Sequence, residues 1–167
     1  MRILIASLCA IALTLFAAPG PARADSALAG QMAAYSYLLG APWTCTANVP
    51  AMGDAPAHAD HFTIAFEIAP HNTMHDHVTG DDYMGDGYYG YSTRANNYWS
   101  TSTDNQAGHG VMTSTDGKTY TGMMGMGGMR FQQTTTYTKI DDNHVTMHQT
   151  MTAEGQPATT IESACSR

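Results

Sequence analysis

The chain is poor in positive charge, with seven Lys and Arg against fourteen Asp and Glu in 167 residues. Nucleic-acid and anionic-membrane surfaces are built from clustered cations, so neither partner suits it. Cysteine is scarce, three in all with no C-x-x-C spacing, which removes the usual mark of a thiol redox or zinc-ribbon site. No G-x-S-x-G, H-E-x-x-H or P-loop occurs, so no motif marks an enzyme. "DDYMGDGY" (81 to 88) carries three aspartates but lacks the D-x-D-x-D-G order and the closing Glu of a calcium loop.

Long apolar runs are missing too, except at the start. "MRILIASLCAIALTLFAAPGPARADS" sets Arg2 before an apolar run from Ile3 to Ala18, then a Gly-Pro break and a small-x-small cleavage site, Ala22-Arg23-Ala24. The expectation is a signal peptide over 1–24, an N-terminal helix over 25–40 and a barrel domain over 41–167, exported to the periplasm or beyond the cell. Cys9 leaves with the signal. Cys45 and Cys165 remain, near the two ends of the mature domain, in a compartment where disulfides persist. Pairing them is expected, and the missing C-x-x-C argues against a two-cysteine metal or redox site.

"SALAGQMAAYSYLLG" (26 to 40) is the helical stretch, with Asp25 or Ser26 as cap and Gly40 as stop. Everything later reads as strand and turn. "HFTIAFEIA" alternates Phe62, Ile64, Phe66 and Ile68 with Thr63, Ala65, Glu67 and Ala69. Nine more candidates follow the same habit: "WTCTANV", "TMHDHVT", "GYYGYST", "NYWSTST", "GVMTST", "KTYTGMMG", "RFQQTTTYTKI", "HVTMHQTMT" and "ATTIESAC". Turn signals such as Asp116-Gly117, Asp141-Asp142-Asn143 and Glu154-Gly155 separate them. About ten short strands joined this way indicate an all-β, antiparallel, up-and-down barrel, and a disulfide from first strand to last favours closure.

"YLLGAPWTC" resembles the opening of lipocalin-like, calycin-type barrels, in which a short helix leads through Gly and Trp into the first strand. "YWSTSTDNQAGHGVMTSTDGKTYTGM", "RFQQTTTYTKIDDNHVTM" and the terminal "CSR" are similar to bacterial exported proteins of unknown function related to the DUF1579 family. The resemblance implies a lipocalin-like barrel that binds a small apolar ligand or serves a non-catalytic envelope role. It also implies that Arg130 lies across Trp43 at the closed end.

Two residue sets carry candidate chemistry. Among the aromatics, Trp99, Tyr89, Tyr91 and Tyr120, with Met124, would line a ligand cavity; outer-face packing is the alternative for each. His75 and His77, two apart on a strand, share a face, and thioethers such as Met123 and Met126 in "TGMMGMGGMR" suit Cu(I). Copper would then be the one cofactor and metal handling the alternative function. Methionine as adaptable filling is the plainer reading of that stretch.

"HNTMHDH" (71 to 77) turns on register. A two- or four-residue turn after "FTIAFEIA" pairs 66 with 75 and 64 with 77, sending both histidines inward. A three-residue turn, Pro70 to Asn72, pairs 68 with 74 and 64 with 78, sending Met74 and Val78 inward and the histidines to solvent. The second restores the apolar alternation and is favoured; it leaves Asp76 facing inward, in need of a partner or water.

Overall fold

The computed structural model describes residues 27–51, 56–81, 83–126 and 128–167. The expected signal peptide and the capping residues Asp25 and Ser26 lie outside them. A 3-10 helix spans Gly30–Leu38, followed by β1 (Trp43–Val49), β2 (His58–Ala69), β3 (Thr73–Gly80), β4 (Met84–Ser92) and β5 (Asn97–Asp104). Then come β6 (His109–Ser114), β7 (Thr119–Met126), β8 (Met129–Lys139), β9 (His144–Ala153) and β10 (Thr159–Ser166). Each strand pairs antiparallel with its neighbours in sequence, and β1 pairs with β10 to close the barrel.

The period-2 alternation sets the two faces. In β1, Trp43, Cys45, Ala47 and Val49 are buried while Thr44 and Asn48 are exposed. In β2, Ile64 is buried, with Phe62, Phe66 and Ile68 packed on the core, and Thr63, Ala65 and Glu67 point out. An apolar interior under a polar exterior is the reverse of a membrane-spanning strand barrel. Among the described residues no helix is long and apolar enough to cross a membrane.

The β2–β3 turn is the three-residue one. Ala69 pairs with Thr73, Ile68 with Met74, Phe66 with Asp76 and Ile64 with Val78. His71 and Asn72 take positive φ, 62° and 58°, a conformation that Asn and His adopt more readily than most residues. Asn72 earns its place with its side chain: Oδ1 accepts from the Ala29 N–H at 2.8 Å and Nδ2 donates to the Ala29 carbonyl at 3.0 Å. The turn thus anchors the chain just ahead of the 3-10 helix.

That helix differs from the α-helix the composition suggests. Ala29 at its N-cap makes no side-chain cap and its first turn has no acid, so little local chemistry favours an α-helical start. Packing holds it instead: Met32, Tyr35 and Leu38 are buried under one end of the barrel, and the Tyr35 hydroxyl donates to the Gly117 carbonyl in the β6–β7 turn at 2.6 Å.

Trp43 closes the same end. Its Nε1 donates to the Leu38 carbonyl at 3.0 Å, and the Arg167 guanidinium lies 4.5 Å above its ring. The cation over Trp43 is therefore Arg167 and not Arg130, which starts β8 at the opposite end, exposed and paired with Gly125. The cause is topological: antiparallel β1 and β10 bring the start of one beside the finish of the other. Arg167 is further held by the carbonyls of Leu39 and Asp142.

Cys45 and Cys165 are register partners on β1 and β10 and form a disulfide, closing a loop of sequence separation 120. Chain-entropy arguments give such a bridge roughly 4 to 5 kcal/mol. Urea denaturation with and without reductant should differ by about that amount, and non-reducing peptide mapping should recover one linked pair. Equal stability of the two forms would mean that strand pairing alone closes the barrel.

Candidate functional site in the barrel interior

The interior has an apolar half beneath the 3-10 helix. Tyr35 and Leu38 from the helix face Trp43, Ile64, Phe66, Met74, Val145 and Met147 from the wall, around a cavity of about 30 Å³. One or two waters fill such a space; anything larger enters only by moving side chains. Met74, Met112, Met147 and Met151 all lie on inward positions, and methionine is the core residue that rearranges most readily.

A layer of tyrosines lies beside this cavity. The Tyr35 and Tyr120 hydroxyls are 2.6 Å apart and those of Tyr89 and Tyr137 3.3 Å apart. Tyr120 meets Tyr89 and Tyr137 edge-on, with centroids 6.0 Å away in both cases. Burial pushes the Tyr137 phenol up to about 12 and raises those of Tyr35, Tyr89 and Tyr120 as well. The layer is thus neutral, presenting ring faces and hydroxyls.

Among the buried polar side chains, three carry an unpartnered atom. Asp76, Ser100 and Gln133 are 7 %, 3 % and 4 % exposed, and Asp76 Oδ1, Ser100 Oγ and Gln133 Oε1 have no hydrogen-bond partner. Gln133 spends its Nε2 on Thr135 Oγ1 at 2.9 Å. Asp76 has room because its neighbour across the ladder is Gly87: a side chain built there would overlap the carboxylate. Desolvation raises Asp76 to about 6 against the pull of His75 and nearby backbone donors. The cations are elsewhere: Arg94, Lys118, Arg130, Lys139 and Arg167 are all exposed.

Of the aromatic candidates, Tyr89, Tyr91 and Tyr120 face inward, and Tyr91 packs edge-on against Tyr98 at 5.0 Å. Met124 also faces in, its thioether lying over Gly110 and accepting from the Ser102 hydroxyl at 3.8 Å. Trp99 does not line the cavity. It sits between buried Tyr98 and Ser100 and therefore points outward, lying over Gly90, which has no side chain to exclude it. Ser100 and Gln133 were not foreseen; both follow the inward parity of Tyr98 and Thr135, a signal that becomes readable only once the register is known.

His75 and His77 face out, as the three-residue turn requires. His75 Nδ1 is 2.8 Å from Glu67 Oε1 and its Nε2 2.9 Å from Asp86 Oδ1, while His77 Nδ1 is 3.0 Å from the same oxygen. Tyr88 stacks on the His75 ring at 4.6 Å. Partial burial alone would lower the His75 pKa, but the hydrogen bonds to Glu67 and Asp86 prevail and raise it. Both nitrogens of this imidazole are thus committed to carboxylates. Met123 and Met126 lie on β7, with three strands between them and β3, and residues three apart on a strand face opposite sides. The four residues considered for copper are not brought together. Among the described residues no three His, Cys, Asp or Glu side chains are grouped to hold a metal ion.

Compared with known proteins, the chain matches no family model and no curated sequence.

The buried carboxylate has a measurable consequence. Its folded pKa, about 6, lies above the ordinary 3.8, so between those values the native state keeps a proton that the unfolded chain has lost. Stability therefore falls as pH rises through this window, by about 3 kcal/mol in all. Asp76→Asn removes that dependence. In urea denaturation the variant should gain on the parent by about this much between pH 4 and pH 8; a constant difference would place the carboxylate in water.

Proposed function

We propose that this is an exported barrel that holds a small ligand inside and performs no chemistry on it. The observation carrying this reading is the set of unpartnered polar atoms, Asp76 Oδ1, Ser100 Oγ and Gln133 Oε1, inside a barrel whose helix-covered end holds an apolar cavity. Leaving a buried polar group unsatisfied costs about 1 to 3 kcal/mol, and an apolar filling would avoid it. Such groups are what a binding site keeps for orienting a ligand. The inward methionines would make room, and the disulfide fits the export that the N-terminal sequence suggests. The resemblance to lipocalin-like and DUF1579-related exported proteins agrees with this reading.

A neutral amphiphile tests it. Titration of the full mature chain with 1-decanol, followed by the methionine methyl signals in NMR, should saturate at one equivalent. Shifts should be concentrated at Met74, Met112 and Met147, with outward Met123 unaffected. Uniform shifts, or none, would return the interior to a purely structural role.

A further inference from the structure

Resting on that reading, we infer that the ligand class is an organic ammonium with an apolar tail, its cationic head seated between the Asp76 carboxylate and the faces of the interior tyrosines. Four observations lead there. First, the free atom of greatest polarity inside is an acceptor: Asp76 Oδ1 has no partner in a side chain that is 7 % exposed. A second orphan, Gln133 Oε1, is also an acceptor and the third, Ser100 Oγ, serves as either. A head group rich in N–H donors suits the buried acceptor at Asp76, which a carboxylate or phosphate head would repel.

Second, among the described residues no cation sits inside with Asp76, and His75 pulls on it only from the outer face. All five basic side chains beyond residue 24 are exposed, and His75, the residue before Asp76, turns out to Glu67 and Asp86. The titratable groups that influence Asp76 or are influenced by it are His75, Asp86, Tyr83, Tyr89 and Tyr137. None of the three phenols can neutralise an anion. An ammonium would.

Third, the surroundings of Asp76 are aromatic. Phe66 is its register partner on β2, its charge acts on the Tyr89 and Tyr137 phenols, and Tyr120 meets both of those rings edge-on. Rings grouped beside one carboxylate are how proteins hold alkylammonium groups, through the negative ring faces and the single anion together. The tail then has the apolar wall of Ile64, Met74, Val145 and Met147.

Fourth, the wall at the end away from the helix carries small residues. On the side away from the helix, β4 and β6 offer Gly85, Gly87 and Gly110 to the interior. The Tyr83 ring lies over Gly85 and the Met124 thioether over Gly110, both on side chains that can swing aside.

The test compares three probes of equal length, decylamine, 1-decanol and decanoate, below their micelle concentrations, by calorimetry with the methionine methyl signals as the locator. Decylamine should bind roughly tenfold or more tighter than decanol, and decanoate weakest, as charge-assisted bonds to a buried anion require. Asp76→Asn should remove the preference of decylamine over decanol, and the methyl spectrum of the ligand-free variant, compared with that of the parent, shows that it is folded. Decanoate binding as tightly as the amine, or amine affinity indifferent to the substitution, overturns the ammonium class while leaving an interior binding site in place. Failure of all three probes to shift the inward methionines overturns both.

Discussion

The three-residue turn at Pro70 to Asn72 holds Ile68 opposite Met74 and Phe66 opposite Asp76, and the two sides of the barrel depend on that register. Because side chains alternate with a period of two, a one-residue slip would exchange them all. His75 and His77 would enter the core without partners, and Met74 and Val78 would go to water. The turn resists such a slip through Asn72, whose side chain grips both backbone polar groups of Ala29. The same contact fixes where the 3-10 helix begins its crossing of the barrel end. One turn therefore couples the wall to its lid.

The register has a cost, and it falls on Asp76. Placing Met74 and Val78 inside obliges the residue between them on the same face to be inside as well, and that residue is an acid. The fold accommodates the shape of the carboxylate with Gly87, and the five basic side chains beyond residue 24 are all exposed, leaving only the pull of His75 from the outer face. Compare the outer face of the same strand: His75 and His77 are bridged by Asp86, and His75 reaches Glu67 as well. Charges on the outside of β3 are paired and the one on the inside is not.

Much of the architecture was legible because it depends on local pattern. Alternation and turn residues placed the ten strands within a few residues, and the pairing of Cys45 with Cys165 followed from their positions near the two ends of the domain. The misplacements share a different origin. Residue type alone points Trp99 to the cavity, yet its direction depends on parity beside Tyr98, and its outward seat depends on Gly90 in another strand. Arg130 was set over Trp43 by resemblance, whereas the pairing of β1 with β10 delivers Arg167. Ser100 and Gln133 escaped notice because a serine or glutamine in a strand carries no mark of burial until its cross-strand neighbours are known. The 3-10 helix, held by Tyr35 on the β6–β7 turn and by Asn72 at Ala29, is likewise a product of tertiary packing that propensity cannot anticipate.

The reading of the interior depends on Asp76 being a buried carboxylate inside a closed barrel, with its Oδ1 lacking a hydrogen-bond partner. Carbon-detected NMR titration of its side-chain carboxyl carbon tests this in the ligand-free protein. The account predicts a midpoint near 6, with the Phe66, Tyr89 and Tyr137 ring signals moving in step. A midpoint near 4, the ordinary value for an aspartate in water, would contradict it.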